Sequence, residues 1–336
     1  MTEFFAEEKL SILDQIRERA KKNLKRIVLP ESEDARTMEA VECILDNKIA
    51  NLVVVGGDSV RKSVKSKNAS YIEVIDPKSY KDIDRMASEY YEIRKLKGIT
   101  PEEARKAVLT DYLTFGAMLV KEGVADGFVA GASHTTPDVI RAALRCLSID
   151  KEIGVVSGAF LMEVSNCAYG EKGVFIFADC GVNPSPNARQ LAGIAVSSAM
   201  LFQKLVGKRP AVAFLSYSSK GSAEGELVDK MREAVARAKE IAPDLLIDGE
   251  FQADSAIVPE VAKIKCGDNP VAGKANVLIF PSLDSGNISY KLTQRLANAR
   301  AVGPLLQGFR KPASDLSRGC SAEDIVDAVA VTAVRV

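Results

Sequence analysis

The sequence predicts an α/β protein organised as two domains. Short apolar runs alternate with amphipathic stretches along most of its 336 residues, and 47% hydrophobic content is enough for a large core. After Gly154 the texture changes to longer strands, which places a domain boundary near residues 150–155. Alternation of this kind argues for a parallel sheet covered on both faces by helices.

Leu10 to Leu24 carries Leu10, Ile12, Leu13, Ile16 and Ala20 at helical spacing and leads into a short buried strand, Arg26 to Pro30. Asp34 to Asp46 repeats the helical pattern, followed by the strand Asn51 to Val55, a Gly56-Gly57 turn and a strand from Tyr71 to Ile75. Tyr80 to Gly123 reads as three helices, with Pro101 opening the second and a basic cluster, Arg94-Lys95-Leu96-Lys97, closing the first. Such a cluster complements a helix dipole as a solvated face, or grips phosphates. Ala125 to Gly131 is a strand; Thr136 as N-cap and Pro137 at the first helical position then start a helix carrying Arg141 and Arg145. The loop with His134 and Thr135 therefore lies at the carboxyl end of a strand, where open α/β sheets place ligands.

In the second half, strands are expected at Val155 to Val164, Gly173 to Ala178, Ala211 to Tyr217, Val277 to Phe280 and Ala301 to Phe309. Helices are expected at Asn187 to Val206, Glu224 to Ala242 and Gly286 to Ala299. Lys311-Pro312 reads as a second crossing, after which the last helix packs back on the first domain. The domains are then residues 1–153 plus 312–336, and 154–311.

Acidic and basic side chains balance at 45 each, so no global field draws the chain to nucleic acid or an anionic membrane. Met1 to Ala6 lacks an apolar core run, and no run of about 18 apolar residues occurs, so neither a signal peptide nor a transmembrane helix is expected. Six scattered cysteines form no CxxC pair, which suggests neither a disulfide framework nor a zinc site and points to a reducing cytoplasm. No GxGxxG follows the first strand, so a dinucleotide fingerprint is missing, and Gly267 to Ala275 only approaches a P-loop, with one residue too many and Ala275 where a hydroxyl belongs. The single histidine, His134, leaves few metal sites, and there is no GxSxG elbow.

Two loops rich in hydroxyls and glycine remain as anion candidates. Ser218, Ser219, Lys220 and Gly221 follow a strand and suit either a helix cap or an anion nest; Asp284 to Asn287 is equally ambiguous. Where the final helix begins, Ser317, Arg318, Gly319 and Cys320 offer donors beside a helix N-terminus. Arg318 and the helix end would lower the Cys320 thiol pKa, whereas free cysteine is also a common buried residue. Ser321 to Asp324 matches Ser-x-x-Asp, so a capping box accounts for Asp324 without catalysis.

Six collinear stretches carry a resemblance: Val28 to Thr37, Tyr91 to Lys95, Ala130 to Pro137, Leu215 to Ala223, Val271 to Val277 and Asp315 to Ser321. Over essentially its whole length the chain resembles the short-form phosphate acetyltransferases (phosphotransacetylases). The resemblance implies reversible acyl transfer, acetyl-CoA plus phosphate giving acetyl phosphate plus CoA, with no tightly bound cofactor and no metal ligated by the protein. It implies two three-layer αβα domains related to the isocitrate and isopropylmalate dehydrogenase fold, a site in the interdomain cleft, a homodimer and a functional link to acetate kinase. Carried onto this chain, it makes Asp324 the base for the CoA thiol, Ser317 and Arg318 the groups that stabilise the tetrahedral oxyanion and hold phosphate, and Arg94 and Arg141 the CoA-binding arginines. His134, Thr135, Ser218, Ser219, Lys220, Gly221 and Asn287 are further candidates for phosphate or substrate contact. Two alternatives stay open: a phosphate butyryltransferase-like enzyme, and an NAD-dependent decarboxylating dehydrogenase of related fold.

Overall fold

The computed structural model describes residues 10–336, so the expectation for Met1 to Ala6 lies outside the described residues. The alternating units form as expected, but on one continuous sheet of eleven strands. In chain order these are β1 (Arg26–Leu29), β2 (Asn51–Val55), β3 (Ile72–Ile75), β4 (Gly127–Ala130), β5 (Ser157–Glu163), β6 (Val174–Ala178), β7 (Ala211–Leu215), β8 (Leu246–Phe251), β9 (Val277–Ile279), β10 (Arg300–Gln307) and β11 (Ala313–Asp315). Their spatial order is β3-β2-β1-β4-β11-β10-β5-β6-β9-β7-β8.

A purely parallel sheet is not what forms. The blocks β3-β2-β1-β4-β11 and β6-β9-β7-β8 are parallel, while β10 and β5 pair antiparallel with each other and with their outer neighbours. The chain reverses at Gly308–Pro312, from β10 into β11, and that short turn makes the antiparallel centre. The strand β11 is only three residues long, too short for a periodicity signal. The strand β8 carries Asp248 and Glu250 among apolar neighbours; both are buried but paired, Asp248 with Lys220 and Lys239 and Glu250 with Arg232. Charges there broke the apolar pattern.

Capping chemistry fixes several helix starts. Thr100 and Glu103 form a capping box ahead of Pro101–Thr110, as do Asn187 and Gln190 ahead of Ala188–Val206. The helix expected from Gly286 begins earlier, at Leu283, because Ser282 caps it and Ser285 answers. Asn287 thus sits inside a helix and not in a loop. The final helix, Ala322–Arg335, is buried along most of its length and packs on Ile12–Lys22 and Ala35–Asp46. Among the described residues no helix is long and apolar enough to cross a membrane.

Candidate active site

Adjacent parallel strands β4 and β11 end side by side, with Asp315 registered opposite Ala130. The loops that follow them, Gly131 to Thr135 and Leu316 to Ser321, are therefore neighbours by construction. Gly131 lies at φ +114°, and any Cβ there would meet the Leu316 backbone N at 2.6 Å, so glycine is what lets the loops touch.

Glu31, two residues after β1, organises the first loop. Its carboxylate accepts N–H bonds from Gly131 (2.7 Å), Ala132 (2.8 Å), Ser133 (3.1 Å) and His134 (3.0 Å), and a 2.7 Å bond from His134 Nδ1. Burial pushes the Glu31 carboxyl up, but the His134 bond and the backbone donors outweigh it and hold its pKa below the usual carboxylate value. With Nδ1 bonded to that carboxylate, Nε2 is the ring nitrogen left for another partner.

Arg36 ties this loop to the next. Its guanidinium donates to the carbonyls of Ala132 (2.7 Å), Arg318 (2.8 Å) and Cys320 (2.8 Å) and pairs with Asp34 at 2.6 Å. Thr136 makes a second tie, donating to Asp315 Oδ2 at 2.5 Å. Because that hydroxyl is spent on Asp315, Thr136 does not cap its helix: Thr135 occupies the N-cap position, one residue before the expected Thr136, and its own hydroxyl goes to Asp138.

Asp315 is 1% exposed, and its Oδ1 has no partner among the described residues. Burial, helped by the nearby charge of Glu31 and opposed by the Thr136 bond, pushes its pKa up to about 7. Sequence reasoning gave no role to Glu31, Arg36 or Asp315. All three stand in the stretches that carried the resemblance, and that was the only signal.

His134, Thr135, Ser317, Arg318, Asp324 and Asn287 line one cleft of about 760 Å³, over the antiparallel centre of the sheet. Ser317 accepts the Gly319 N–H at 3.3 Å, which shapes the turn; Arg318 is exposed, and its guanidinium has no partner among the described residues. The capping box at Ser321 forms as expected: Asp324 Oδ2 accepts Ser321 N (2.8 Å) and Oγ (2.9 Å), and Ser321 Oγ accepts Asp324 N at 3.2 Å. Those bonds fall on Oδ2 and leave Oδ1 for another partner. Asn287 Nδ2 donates to the Cys180 carbonyl at 3.2 Å, within the wall of the same cleft.

Other candidates lie elsewhere. Arg94 is half-buried at the end of Ile83–Arg94, and Arg141 is exposed and paired with Asp138 at 2.6 Å; neither is part of this cleft's wall. Ser218, Ser219, Lys220 and Gly221 are also apart from it, and their donors are taken internally. Ser218 Oγ and Gly221 N both donate to Glu250 at 2.9 Å, Ser219 Oγ is 2.7 Å from Ser255 Oγ, and Lys220 Nζ pairs with Asp248 at 2.8 Å. A carboxylate of the chain itself fills that nest. The activated-thiol reading of Cys320 is corrected too. Burial pushes its pKa up to about 11, and the guanidinium beside it is that of Arg36, at 3.9 Å, and not that of Arg318. Among the described residues no three His, Cys, Asp or Glu side chains converge as a metal site.

Fold and cleft together define an α/β protein with an open cleft lined by His134, Ser317, Arg318 and Asp324 at the ends of β4 and β11. Residues 11–333 match the family described as phosphate acetyl/butaryl transferase, and the chain belongs to this family. It is 52% identical over 327 residues to a phosphate acetyltransferase of Thermoanaerobacterium thermosaccharolyticum, covering 97% of this chain and 99% of that one. It is 50% identical to a phosphate acetyltransferase of Acetivibrio thermocellus, covering 97% and 98%. The crystal structure of a phosphotransacetylase from Streptococcus pyogenes superposes with a TM-score of 0.87 at 41% identity, over 96% of this chain and 97% of that one.

Proposed function

We propose that the chain is a phosphate acetyltransferase that moves an acetyl group between CoA and inorganic phosphate in a ternary complex. The observation that carries the reading is the convergence of Ser317, Arg318 and Asp324 on one cleft, with the Arg318 guanidinium uncommitted among the described residues. Asp324 takes the proton from the CoA thiol; the thiolate forms the C–S bond at the acetyl phosphate carbonyl, and the C–O bond to phosphate breaks. An ordinary thiol has a pKa near 8.5, so a carboxylate base needs to supply only a modest push. Arg318 and the Ser317 hydroxyl hold the phosphoryl oxygens and the charge of the tetrahedral intermediate. The reverse reaction uses the same groups, with Asp324 returning the proton.

Arg94 and Arg141 bind CoA outside the cleft proper, where its phosphates remain in water. His134 contacts substrate through Nε2, since Nδ1 is bonded to Glu31. Residues 1–153 with 312–336 form one domain and 154–311 the other, with the relation to the dehydrogenase fold that the resemblance implies; the two parallel blocks of the sheet support this division. Ile288, Leu292 and Leu296, 56%, 52% and 83% exposed, make an apolar stripe on Leu283–Leu296 that supports a homodimer. No tightly bound cofactor, a cytoplasmic location and a link to acetate kinase complete the reading, the six free thiols fitting a reducing compartment.

Release of CoA from acetyl-CoA, followed with a thiol reagent as phosphate is varied, tests this directly. Saturable phosphate-dependent release, faster with acetyl-CoA than with butyryl-CoA, is expected. Faster release from butyryl-CoA makes the chain a butyryltransferase, and NADH formation from a hydroxy acid without thiol release removes the acyl transfer reading.

A further inference from the structure

A second cavity, of about 290 Å³, lies between helix Ala188–Val206 and the last turn of Ala322–Arg335 and shares no wall residue with the catalytic cleft. Four of its side chains decide what it will hold: Arg335, Lys204, Gln307 and Asp150. The Arg335 guanidinium donates to Ala313 O at 2.9 Å, Ser314 Oγ at 3.3 Å and Leu306 O, and has no carboxylate partner among the described residues. Burial alone pulls its pKa down to about 10, so it remains charged at neutral pH. Lys204 is exposed at the rim and also lacks a carboxylate partner among the described residues. Gln307 is 4% exposed; its Oε1 accepts from Ser157 Oγ at 3.0 Å, while Nε2 is buried without a partner among the described residues. Asp150, the one carboxylate, accepts the Glu152 N–H at 2.9 Å and forms no ion pair with either cation.

Two cations, one carboxylate engaged elsewhere and an orphan buried N–H donor leave the cavity short of negative charge and of an acceptor. Its volume lies at the lower edge of the ~300–1,000 Å³ range of sites that enclose small ligands, which leaves ample room for a small oxyanion. We propose that this cavity binds a small oxyanion, either tetrahedral and phosphate-like or a short carboxylate, through Arg335, Lys204 and Gln307 Nε2. The site is distinct from the catalytic one. Asp324 and Arg335 lie at opposite ends of one helix, about 16 Å apart at 1.5 Å per residue.

Calorimetric titration at fixed ionic strength with sulfate and with malonate, neither a substrate of the proposed reaction, tests the assignment. The chains compared are the parent, Arg318→Gln, Lys204→Glu and Gln307→Leu. Arg335 itself is left in place because it also ties strand carbonyls, and Lys204→Glu, on an exposed face, stays informative even where Gln307→Leu perturbs folding. Binding that persists in Arg318→Gln and weakens at least tenfold in Lys204→Glu is the expected result, with Gln307→Leu weakened likewise when its Tm matches the parent's. Sulfate alone binding assigns a tetrahedral anion, malonate alone a carboxylate. No binding of either, binding lost only in Arg318→Gln, or binding indifferent to Lys204→Glu overturns the proposal.

Discussion

Two loops of this chain look alike in composition and end up opposite in state. Ser218 to Ser222 and Ser317 to Ser321 each combine serines, one basic residue and a glycine ahead of a helix. In the first, Ser218 and Gly221 donate to Glu250 and Lys220 pairs with Asp248, so the donors are spent inside the protein. In the second, the supporting bonds come from elsewhere: Arg36 holds the carbonyls of Arg318 and Cys320, and Arg318 keeps its guanidinium free of partners among the described residues. Residue type marks where an anion is welcome, but only donors left unsatisfied by the fold can receive one.

The largest expected effect separates these loops directly. Arg318→Gln lowers kcat about a thousandfold, the scale of losing one preorganised donor to an oxyanion, with Tm unchanged within a degree or two; a loss under tenfold would make the two loops equivalent. Lys220→Ala is expected to do the reverse. It breaks a charged bond to Asp248 and one to the Gly249 carbonyl, costing about 1–3 kcal/mol in unfolding free energy by denaturant titration, while kcat/KM stays within about threefold. A large kinetic loss at unchanged stability would place Lys220 on substrate.

The buried acids sharpen the contrast. Burial raises the Asp248 carboxyl, but Lys220, Asn269 and Lys239 more than reverse this and hold its pKa down. Asp315 has no cation beside it among the described residues, and burial pushes its pKa up to about 7. Its folded pKa lies above the unfolded value, so the stability it contributes is full below about pH 4 and is lost as pH rises through about 7. Asp315→Asn should therefore shrink the fall in unfolding free energy between pH 5 and pH 8 by about 2–3 kcal/mol. An unchanged pH profile would mean that Asp315 is ionised in the folded chain. The smallest effect is at the periphery: Arg141→Ala should raise KM for CoA roughly tenfold with kcat little changed, as expected for loss of uniform binding. A normal KM would remove it from the CoA contacts.

Much of this was legible in the sequence, for identifiable reasons. Long amphipathic helices announced themselves, one opened by Pro101 and another starting at Asn187, and so did the buried runs of β1, β2 and β4. The strands β8 and β11 did not: one hides charges that only tertiary pairing makes tolerable, and the other spans three residues. The antiparallel centre follows from a turn at Gly308–Pro312 that carries no periodicity of its own. At the site, Ser317, Arg318 and Asp324 were found through the resemblance, whereas Glu31 and Arg36 act through backbone contacts, and Asp315 through the Thr136 hydroxyl, contacts that no spacing encodes.

One carboxylate, Asp324, both caps a helix and lines the cleft. Asp324→Asn keeps an acceptor at the capping position but no base. Measuring kcat and Tm on the same preparation of this variant decides between the two roles. A fall in kcat of at least about a hundredfold, with Tm within about two degrees of the parent, is the predicted result; kcat within about tenfold of the parent, or a loss of activity that simply tracks a lowered Tm, would contradict Asp324 as the base.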